Sequence, residues 1–421
     1  MSSHIKNNDL QECFQSAYRA NHSTETALVR IANDLLQVID KGKSTVLSLL
    51  DLSAAFDTLD HDILLKRLET TFGISGTAIK WFSSYLSERK QIVSIDDVSS
   101  TERGITYGVP QGSVLGPVLF VLYTYPVAEI VKKHSLMYHM YADDTQIYNT
   151  TFTNSNIRSM LPIYEQCIGE VKTWMTCNKL KLNGEKTEAL YIGSRNKKEV
   201  IDEYQLNIDE SNIQLTKKVK NLVVILDSDL SFENHINEIR KSSIFILRSI
   251  RFIRPFLTEN ACNKLILCLI FSKLDYCNSL LFALPKGKLN LLQKIQNSAA
   301  RLVLKKRRRE EASPLLQQLH WLPIQQRVEY KAATLVFKCL HDMAPEYLSD
   351  LLTHYQPGRS LRSTSNVLPL TVPRCRLKAG ERSFEHFGPT VWNSLPNVVK
   401  SSPTIDSFKK ELKTHLFRVA F

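Results

Sequence analysis

The sequence predicts an α+β fold, and two observations support this class. Short apolar runs of strand length alternate with segments of helical periodicity over residues 1–236, whereas helical periodicity dominates after residue 236. The chain has 421 residues, of which 43% are hydrophobic and 23% charged, so it is long enough for two or three domains. We therefore expect a mixed α+β region followed by a mostly helical one.

The elements of the mixed region are predicted from the spacing of apolar residues. In the first helix, for example, Leu28, Ile31, Leu35 and Ile39 recur at helical spacing. The predicted helices are Thr24–Asp40, His61–Phe72, Ala78–Leu86, Val114–Val131 and Ile157–Cys177. The predicted strands are Val46–Leu50, Gln91–Ile95, Gly104–Tyr107, Leu136–Tyr141, Thr145–Tyr148, Glu188–Ile192 and Val219–Leu226.

Two interruptions of this pattern are chemically informative. The segment Gly108–Gly112, with the sequence Gly-Val-Pro-Gln-Gly, separates a strand from a helix and is predicted to be a loop. Asp143 and Asp144 follow one predicted strand and precede the next, which indicates a hairpin with an acidic tip.

Charge is distributed unevenly along the chain. Residues 240–421 carry 30 Lys+Arg against 12 Asp+Glu, a net charge of +18, whereas residues 1–239 carry 24 against 30, a net charge of −6. A basic surface attracts a polyanion such as nucleic acid, although a solvated basic face is the simpler interpretation. The basic run Lys305–Arg309 is equally compatible with phosphate contact, a nuclear import signal and a solvated linker.

The N-terminal sequence MSSHIKNNDL lacks the apolar core of a signal peptide. The chain has eight cysteines and no CxxC pair, which argues against a disulfide framework or a zinc knuckle. We therefore expect a location in the nucleus, the cytoplasm or both, without secretion and without a membrane partner.

Three aspartates stand where predicted strands end. Asp51 follows Val46–Leu50, and Asp143 and Asp144 lie at the predicted hairpin tip. If the strands belong to one sheet, these carboxylates converge, and close carboxylates repel one another unless cations lie between them. Two Mg²⁺ ions are a common solution in phosphoryl-transfer sites. Taken alone, Asp51 is better explained by a turn or a helix cap, and Asp143 and Asp144 also suit an ordinary turn.

Four ordered segments, two of which contain these aspartates, give a more specific signal. They are LDLSAAFDTLDH (50–61), GVPQGSVLGPVLF (108–120), MYADDTQIY (140–148) and LKLNGEKTEALYIG (180–193). They resemble successive motifs of the reverse transcriptases of non-LTR (LINE-type) retrotransposons of the chicken-repeat-like group. The segment 219–236 resembles the primer-grip hairpin of that family, and 320–352 and 387–396 resemble the tail of its open reading frames. The resemblance implies a palm-type polymerase sheet with helices on one face, followed by a mostly α-helical thumb and C-terminal region.

The resemblance also implies catalytic roles. Asp51, Asp143 and Asp144 match the family's metal-binding aspartates, which hold two Mg²⁺ ions. Lys186 matches the lysine proposed to neutralise or protonate the leaving pyrophosphate, although an exposed lysine in a turn is its ordinary interpretation. The implied activity is that of an RNA-directed DNA polymerase, a nucleotidyltransferase that adds dNTPs to a primer 3′-OH on an RNA template.

Further positions match the family's substrate-binding motifs. Phe56 matches the steric gate that excludes a ribose 2′-OH. Gln111 and Gly112 match the loop beside the templating base pair, where a glycine lets backbone approach the pair closely. Val223 stands where the family usually has glycine in the primer grip. The implied partners are an RNA template, a DNA primer and dNTPs, whereas protein partners are not indicated.

The predicted domains are a fingers remnant (1–42), a palm with part of the fingers (43–235), a thumb-like helical region (236–304) and a basic C-terminal domain (305–421). Because 14–28 resembles only the last fingers motif, we expect an N-terminally truncated member of the family. One alternative is a catalytically defective, retrotransposon-derived protein that only binds nucleic acid. Another is a two-metal hydrolase of unrelated fold, which leaves the loop Gly108–Gly112 unexplained.

Some conspicuous side chains receive ordinary structural interpretations. Asp57, Asp60, His61 and Asp62 are close together in the sequence but are not expected to bind metal. Asp60 is instead predicted to cap the helix that begins at His61. Trp321 and Trp392 lie among apolar neighbours and are predicted to pack in a core rather than to stack on bases.

Overall fold

The fold comes from a computed structural model of the 421-residue chain. The structure describes residues 1–53, 56–110, 112–150, 157–193, 204–208, 211–355 and 369–421. The chain divides into two compact units. The first comprises Met1–His22, Thr45–Tyr191 and Lys198–Thr216, and the second comprises Ser23–Ser44, Ile192–Lys197 and Lys217–Phe421.

The helices and strands confirm the predicted α+β class. Up to residue 216 they are, in chain order, α1 (Ser2–Asn7), α2 (Thr24–Asp40), β1 (Thr45–Leu50), β2 (Leu52–Ser53), α3 (His61–Thr70), α4 (Gly76–Leu86), β3 (Arg89–Gln91), β4 (Ser94–Ile95), β5 (Val98–Ser99), β6 (Arg103–Ile105), α5 (Leu115–Thr124), α6 (Pro126–Lys133), β7 (Met137–Tyr141), β8 (Asp144–Tyr148), α7 (Leu161–Cys177), β9 (Lys181–Leu182), β10 (Glu188–Ile192), β11 (Gln205–Ile208) and β12 (Ser211–Thr216). They continue with β13 (Lys218–Asn221), β14 (Val224–Asp227), α8 (Glu233–Ile253), α9 (Glu259–Ile266), α10 (Ser272–Leu274), α11 (Lys286–Val303), α12 (Ser313–Gln318), α13 (Ile324–Leu340), α14 (Glu346–Ser349), α15 (Phe384–Ser394), α16 (Asn397–Lys400) and α17 (Ile405–Ala420).

A six-stranded sheet organises the first unit, with the strand order β11-β12-β10-β1-β8-β7. Strand β8 is antiparallel to both β1 and β7, whereas β10 and β12 are parallel. Helix α6 packs on β7, and α7 packs on α6 and β11. The inner side chains, among them Val46, Ile147, Tyr164 and Ala189, are fully buried in one apolar core. The central position of β1 explains why its sequence is apolar on both faces.

Side chains cap the first turns of two helices. Oδ1 of Asp60 accepts hydrogen bonds from the backbone N–H groups of Asp62 and Ile63, each at 3.0 Å, which confirms the predicted cap of α3. Ser23 and Thr26 form a reciprocal capping box at the start of α2.

Helices dominate the second unit, as predicted. Helix α11 packs against α8 and α13, and α13 also packs against α15 and α17. Trp321 and Trp392 are 5% and 1% exposed, which confirms their predicted place in the core. Asp40, at the end of α2, accepts hydrogen bonds from the backbone N–H groups of Arg376 and Leu377 and so anchors the approach to α15.

Three predicted elements differ from the structure. The single strand Val219–Leu226 is wrong, because the chain folds there into the hairpin β13–β14. The predicted strand Gln91–Ile95 is divided between β3 and β4, and the helix Val114–Val131 is divided into α5 and α6 at Pro126, which lacks the N–H that continues a helix.

The stretch Leu115–Lys133 is long and apolar enough to cross a membrane, and half of it is buried in the protein, as in an ordinary core helix.

The functional labels given to the predicted domains stay predictions. The division into compact units does not follow the order of the predicted domains along the chain. Ser23–Ser44 belongs to the second unit, whereas Thr45–Tyr191 belongs to the first.

Candidate active site

The sheet brings the three predicted aspartates to one end of neighbouring strands. Leu50, the last residue of β1, pairs with Thr145 in β8, so Asp51 lies beside Asp144. Asp144 in turn pairs with Tyr141 in β7, which leaves Ala142 and Asp143 as the turn of the hairpin. The predicted acidic tip is therefore displaced by one residue, because Asp144 already belongs to β8.

The electrostatics of these carboxylates reflect their proximity. Burial, together with repulsion from the carboxylates of Asp143 and Asp51, raises the pKa of Asp144 to about 6. Oδ2 of Asp51 is buried and accepts no hydrogen bond within the described part of the chain. Crowded carboxylates with a buried oxygen that accepts no hydrogen bond fit a hard divalent cation, which would neutralise them.

The arrangement is not a preformed ion cage. Among the described residues, no group of three or more His, Cys, Asp or Glu side chains is arranged so that it could hold a metal ion as it stands. An ion at this site would therefore have to draw the carboxylates together, or be completed by substrate oxygens, as Mg²⁺ sites in phosphoryl transfer commonly are.

Lys186 lies next to the same aspartate. Its Nζ is 3.8 Å from Oδ2 of Asp51, and its side chain is 69% exposed. The turn that carries it is attached to Asp51, since the N–H of Asn183 donates to the carbonyl of Asp51 at 2.9 Å. Leu182 also pairs with Leu52 in the short ladder between β2 and β9. The strand pairing thus holds Lys186 beside the carboxylates.

Gly108 and Val109, which begin the predicted loop, are hydrogen-bonded to the segment after β2. The N–H of Gly108 donates to the carbonyl of Leu59 at 2.7 Å, and that of Val109 donates to the carbonyl of Phe56 at 2.9 Å. Gly108 has a φ of +83°, and a Cβ placed there would lie 2.8 Å from the carbonyl oxygen of Asp57. Only glycine fits this close contact. Nothing in the sequence distinguished Gly108 from the second glycine of the loop.

The predicted substrate-binding residues have different environments. Phe56 packs its ring on the buried Phe120, with ring centroids 4.8 Å apart. Gly112 has a φ of +80°, but among the described residues, apart from its chain neighbours, no atom lies within 4 Å of the position of a Cβ, so the backbone conformation rather than crowding favours glycine there. Gln111 lies outside the described residues. The roles assigned to these three residues stay predictions.

A family model for reverse transcriptase (RNA-dependent DNA polymerase) matches residues 1–226. The chain belongs to the reverse transcriptase family. This confirms the family that the sequence motifs indicated, and with it the polymerase-type α+β fold. The matched residues include the three aspartates, Lys186 and the loop Gly108–Gly112.

Curated relatives of the chain include proteins of fruit-fly mobile elements. The RNA-directed DNA polymerase from mobile element jockey of Drosophila melanogaster is 28% identical over 239 residues, which are 54% of this chain and 25% of the relative. The probable RNA-directed DNA polymerase from transposon BS of the same species is 24% identical over 303 residues, covering 69% of this chain and 32% of the relative. The chain therefore spans about a quarter to a third of the length of these relatives.

Solved structures similar to the chain include two Candida telomerases. Apo telomerase from Candida tropicalis is 12% identical with a TM-score of 0.39, covering 76% of this chain and 56% of that chain. Telomerase from Candida albicans, in complex with a fragment of telomeric RNA, is 13% identical with a TM-score of 0.36, covering 78% of this chain and 55% of that chain.

Proposed function

We propose that the chain acts as an RNA-directed DNA polymerase that adds dNTPs to the 3′-OH of a DNA primer on an RNA template. The observation that carries the proposal is the convergence of Asp51, Asp143 and Asp144 through the pairing of β1 with β8 and of β8 with β7. The curated relatives, whose names describe RNA-directed DNA polymerases, support the same activity.

The proposed metal ligands are the carboxylates of Asp51, Asp143 and Asp144. Mg²⁺ bound there, as two ions, would lower the pKa of an attacking hydroxyl and neutralise a leaving pyrophosphate. Oδ2 of Asp51 accepts no hydrogen bond among the described residues, and burial together with the neighbouring carboxylates raises the pKa of Asp144; these are the features of this chain that fit such ions.

The protein's own groups would bind and orient the substrates. Lys186 would neutralise or protonate the pyrophosphate, which its high exposure near Asp51 allows. Phe56 would exclude a ribose 2′-OH, and its ring packs on the ring of Phe120. Gln111 and Gly112 would lie beside the templating base pair.

The proposed nucleic-acid partners suit the charge of the chain. The net charge of +18 over residues 240–421 would attract template and primer phosphates. All eight cysteines are free, which suits the reducing nucleus or cytoplasm, where we propose that the protein acts.

Primer extension tests this function. The full chain is incubated with Mg²⁺, dNTPs and a DNA primer annealed to an RNA template, in parallel with Asp143→Asn and Asp97→Asn. Asp97 lies in an exposed turn between β4 and β5 and is the matched acidic control. We expect extension by the wild type and by Asp97→Asn, and its loss in Asp143→Asn.

Two results would overturn the polymerase assignment. Unchanged extension by Asp143→Asn would remove the carboxylate cluster from the reaction. Salt-sensitive RNA binding by a wild-type protein that incorporates no nucleotide would favour the alternative, a defective protein that only binds nucleic acid.

A further inference from the structure

Residues 14–16 lie alongside β7, the edge strand of the sheet and the first strand of the β7–β8 hairpin that carries Asp143 and Asp144. Gln15 forms a parallel bridge with Met140 of β7. The N–H of Met140 donates to the carbonyl of Phe14 at 2.8 Å, and the N–H of Ser16 donates to the carbonyl of Met140 at 2.9 Å. The side chain of Gln15 is thereby directed to the turn that follows β7.

Gln15 binds both backbone groups of one turn residue. Its Oε1 accepts a hydrogen bond from the N–H of Ala142 at 3.1 Å, and its Nε2 donates to the carbonyl of Ala142 at 3.3 Å. Oε1 also accepts from the N–H of Ala17 at 2.9 Å. Because two N–H groups face Oε1 and a carbonyl faces Nε2, the orientation of the amide is fixed. Gln15 is only 1% exposed, so water does not replace these bonds.

Ala142 needs such support. Its φ is +58°, in the left-handed region that residues with a Cβ seldom adopt. It directly precedes Asp143, so the conformation of Ala142 determines where the Asp143 carboxylate points. A glycine would adopt this conformation without help, whereas an alanine is held there by its surroundings.

The segment that carries Gln15 is itself anchored. The buried Glu12 accepts a hydrogen bond from the hydroxyl of Tyr138 in β7, and Nζ of Lys132 lies 3.3 Å from its carboxylate. Nη1 of Arg19 donates to the carbonyls of Glu12 and Gln15, at 2.6 Å and 3.0 Å. Gln15 therefore contacts the turn from a braced backbone.

We propose that Gln15 is a positioning residue that holds Ala142 in its left-handed conformation and thereby sets the position of the Asp143 carboxylate. Its effect on catalysis rests on the proposed polymerase function, whereas its effect on metal binding by the carboxylates does not. Gln15→Met keeps the length and apolar packing of the side chain but removes all three hydrogen bonds.

Binding of Mn²⁺ alone, followed by electron paramagnetic resonance on the full chain, tests the proposal without turnover. The wild type should bind Mn²⁺ at a site that Asp143→Asn abolishes, and Gln15→Met should weaken that site about tenfold, the usual effect of losing a residue that orients a metal ligand. The matched control is Gln296→Met, because Gln296 is also fully buried and donates to the carbonyl of Leu322 at 2.8 Å in the unit without the three aspartates.

A rescue separates positioning from general packing. Ala142→Gly removes the need for support, so Gln15→Met combined with Ala142→Gly should regain most of the Mn²⁺ affinity. In primer extension, Gln15→Met should lower kcat with little change in the KM for dNTP, and the double variant should restore kcat.

The outcomes are distinct. Mn²⁺ binding by Gln15→Met equal to the wild type, or weakened equally in Gln296→Met, would overturn the proposal. If Gln15→Met does not fold, a folded double variant supports it, and an unfolded double variant overturns it. The wild type could bind Mn²⁺ through Asp143 and yet extend no primer. This result would overturn the polymerase assignment, and the Mn²⁺ data alone would then decide the role of Gln15.

Discussion

Nζ of Lys186 lies 3.8 Å from Oδ2 of Asp51, an oxygen that accepts no hydrogen bond within the described residues. The lysine is 69% exposed and the aspartate 32% exposed, so the ion pair is screened by solvent and adds little to the stability of the protein. Its position beside the crowded carboxylates instead suits contact with a negatively charged group that arrives with the substrate.

Substitution of Lys186 should therefore affect activity rather than folding. Lys186→Met should leave the melting temperature unchanged and lower kcat for primer extension about 100-fold, the usual loss on removing a general acid. Rapid-quench measurements of single-nucleotide incorporation would check this. Lys181→Met is the control, because Lys181 is an exposed lysine on the neighbouring β9. Equal rates for both variants would contradict a role for Lys186 in the reaction.

Local patterns in the sequence predicted only those residues of the site that lie at the ends of strands. The apolar run before Asp51 and the hairpin around Asp143 predicted the convergence of carboxylates, because antiparallel pairing of β1 with β8 brings their ends together. Gln15 could not be predicted in this way. Its role depends on a parallel bridge to Met140, which is distant in the chain, and a buried glutamine has no periodic signature.

The apolar pattern alone predicted a single strand where the β13–β14 hairpin lies, and only the family resemblance indicated a hairpin there. Hairpin turns with two left-handed residues are predicted from Asn-Gly or Asp-Gly, whereas the turn here is Leu222-Val223, which reads as the middle of a strand. The sequence did mark Val223 as a departure from the family's glycine. The structure gives that departure a physical meaning, because Leu222 and Val223 have φ values of +43° and +71°.

Replacing Val223 by glycine should stabilise the protein. A β-branched residue at positive φ is strained, and Val223 is 62% exposed, so little apolar burial is lost with its side chain. We expect Val223→Gly to raise the free energy of unfolding by about 1 kcal/mol, the left-handed penalty less the added chain entropy of glycine. Urea denaturation followed by circular dichroism would measure it.

The control for this change is Val398→Gly. Val398 is 73% exposed in α16 and is not among the residues with positive φ. Its replacement should destabilise the protein by up to about 1 kcal/mol, the usual cost of glycine in a helix. A loss of stability in Val223→Gly as well would show that the turn is not strained.

Gly380 should tolerate no side chain. A Cβ placed there would lie 2.6 Å from Cγ of Asp40 and 2.9 Å from Cβ of Cys375. The Asp40 carboxylate is buried and holds the N–H groups of Arg376 and Leu377, so it cannot move away without losing these bonds. We expect Gly380→Ala to lower the free energy of unfolding by about 2 kcal/mol, typical of overpacking.

Gly287→Ala provides the opposite expectation. Gly287 lies in the first turn of α11, and beyond its chain neighbours and the helix's own backbone no described atom lies within 4 Å of the position of its Cβ. Alanine should therefore stabilise α11 by about 0.5 kcal/mol through helix propensity. Thermal melts of the two variants, run side by side, should shift in opposite directions. A melting temperature of Gly380→Ala equal to or above that of the wild type would contradict the crowding at Gly380.

His235 should make the protein sensitive to acid. It is 7% exposed in the first turn of α8, and its Nδ1 accepts a hydrogen bond from the N–H of Ile225 at 3.4 Å. Burial lowers its pKa to about 4, whereas an unfolded histidine titrates near 6.5. Between these values the unfolded chain binds a proton that the folded chain excludes. Stability is therefore lost as the pH falls through this range, by up to about 1.4 kcal/mol per pH unit.

His235→Asn isolates this contribution, because the asparagine Oδ1 can still accept the Ile225 N–H but does not titrate. We expect the wild type to lose stability relative to the variant as the pH falls from 7 to 4, in urea denaturation at each pH. Other titrating groups are shared by both proteins, so their effects cancel in the difference. A difference that stays constant with pH would show that His235 is protonated as readily in the folded as in the unfolded chain.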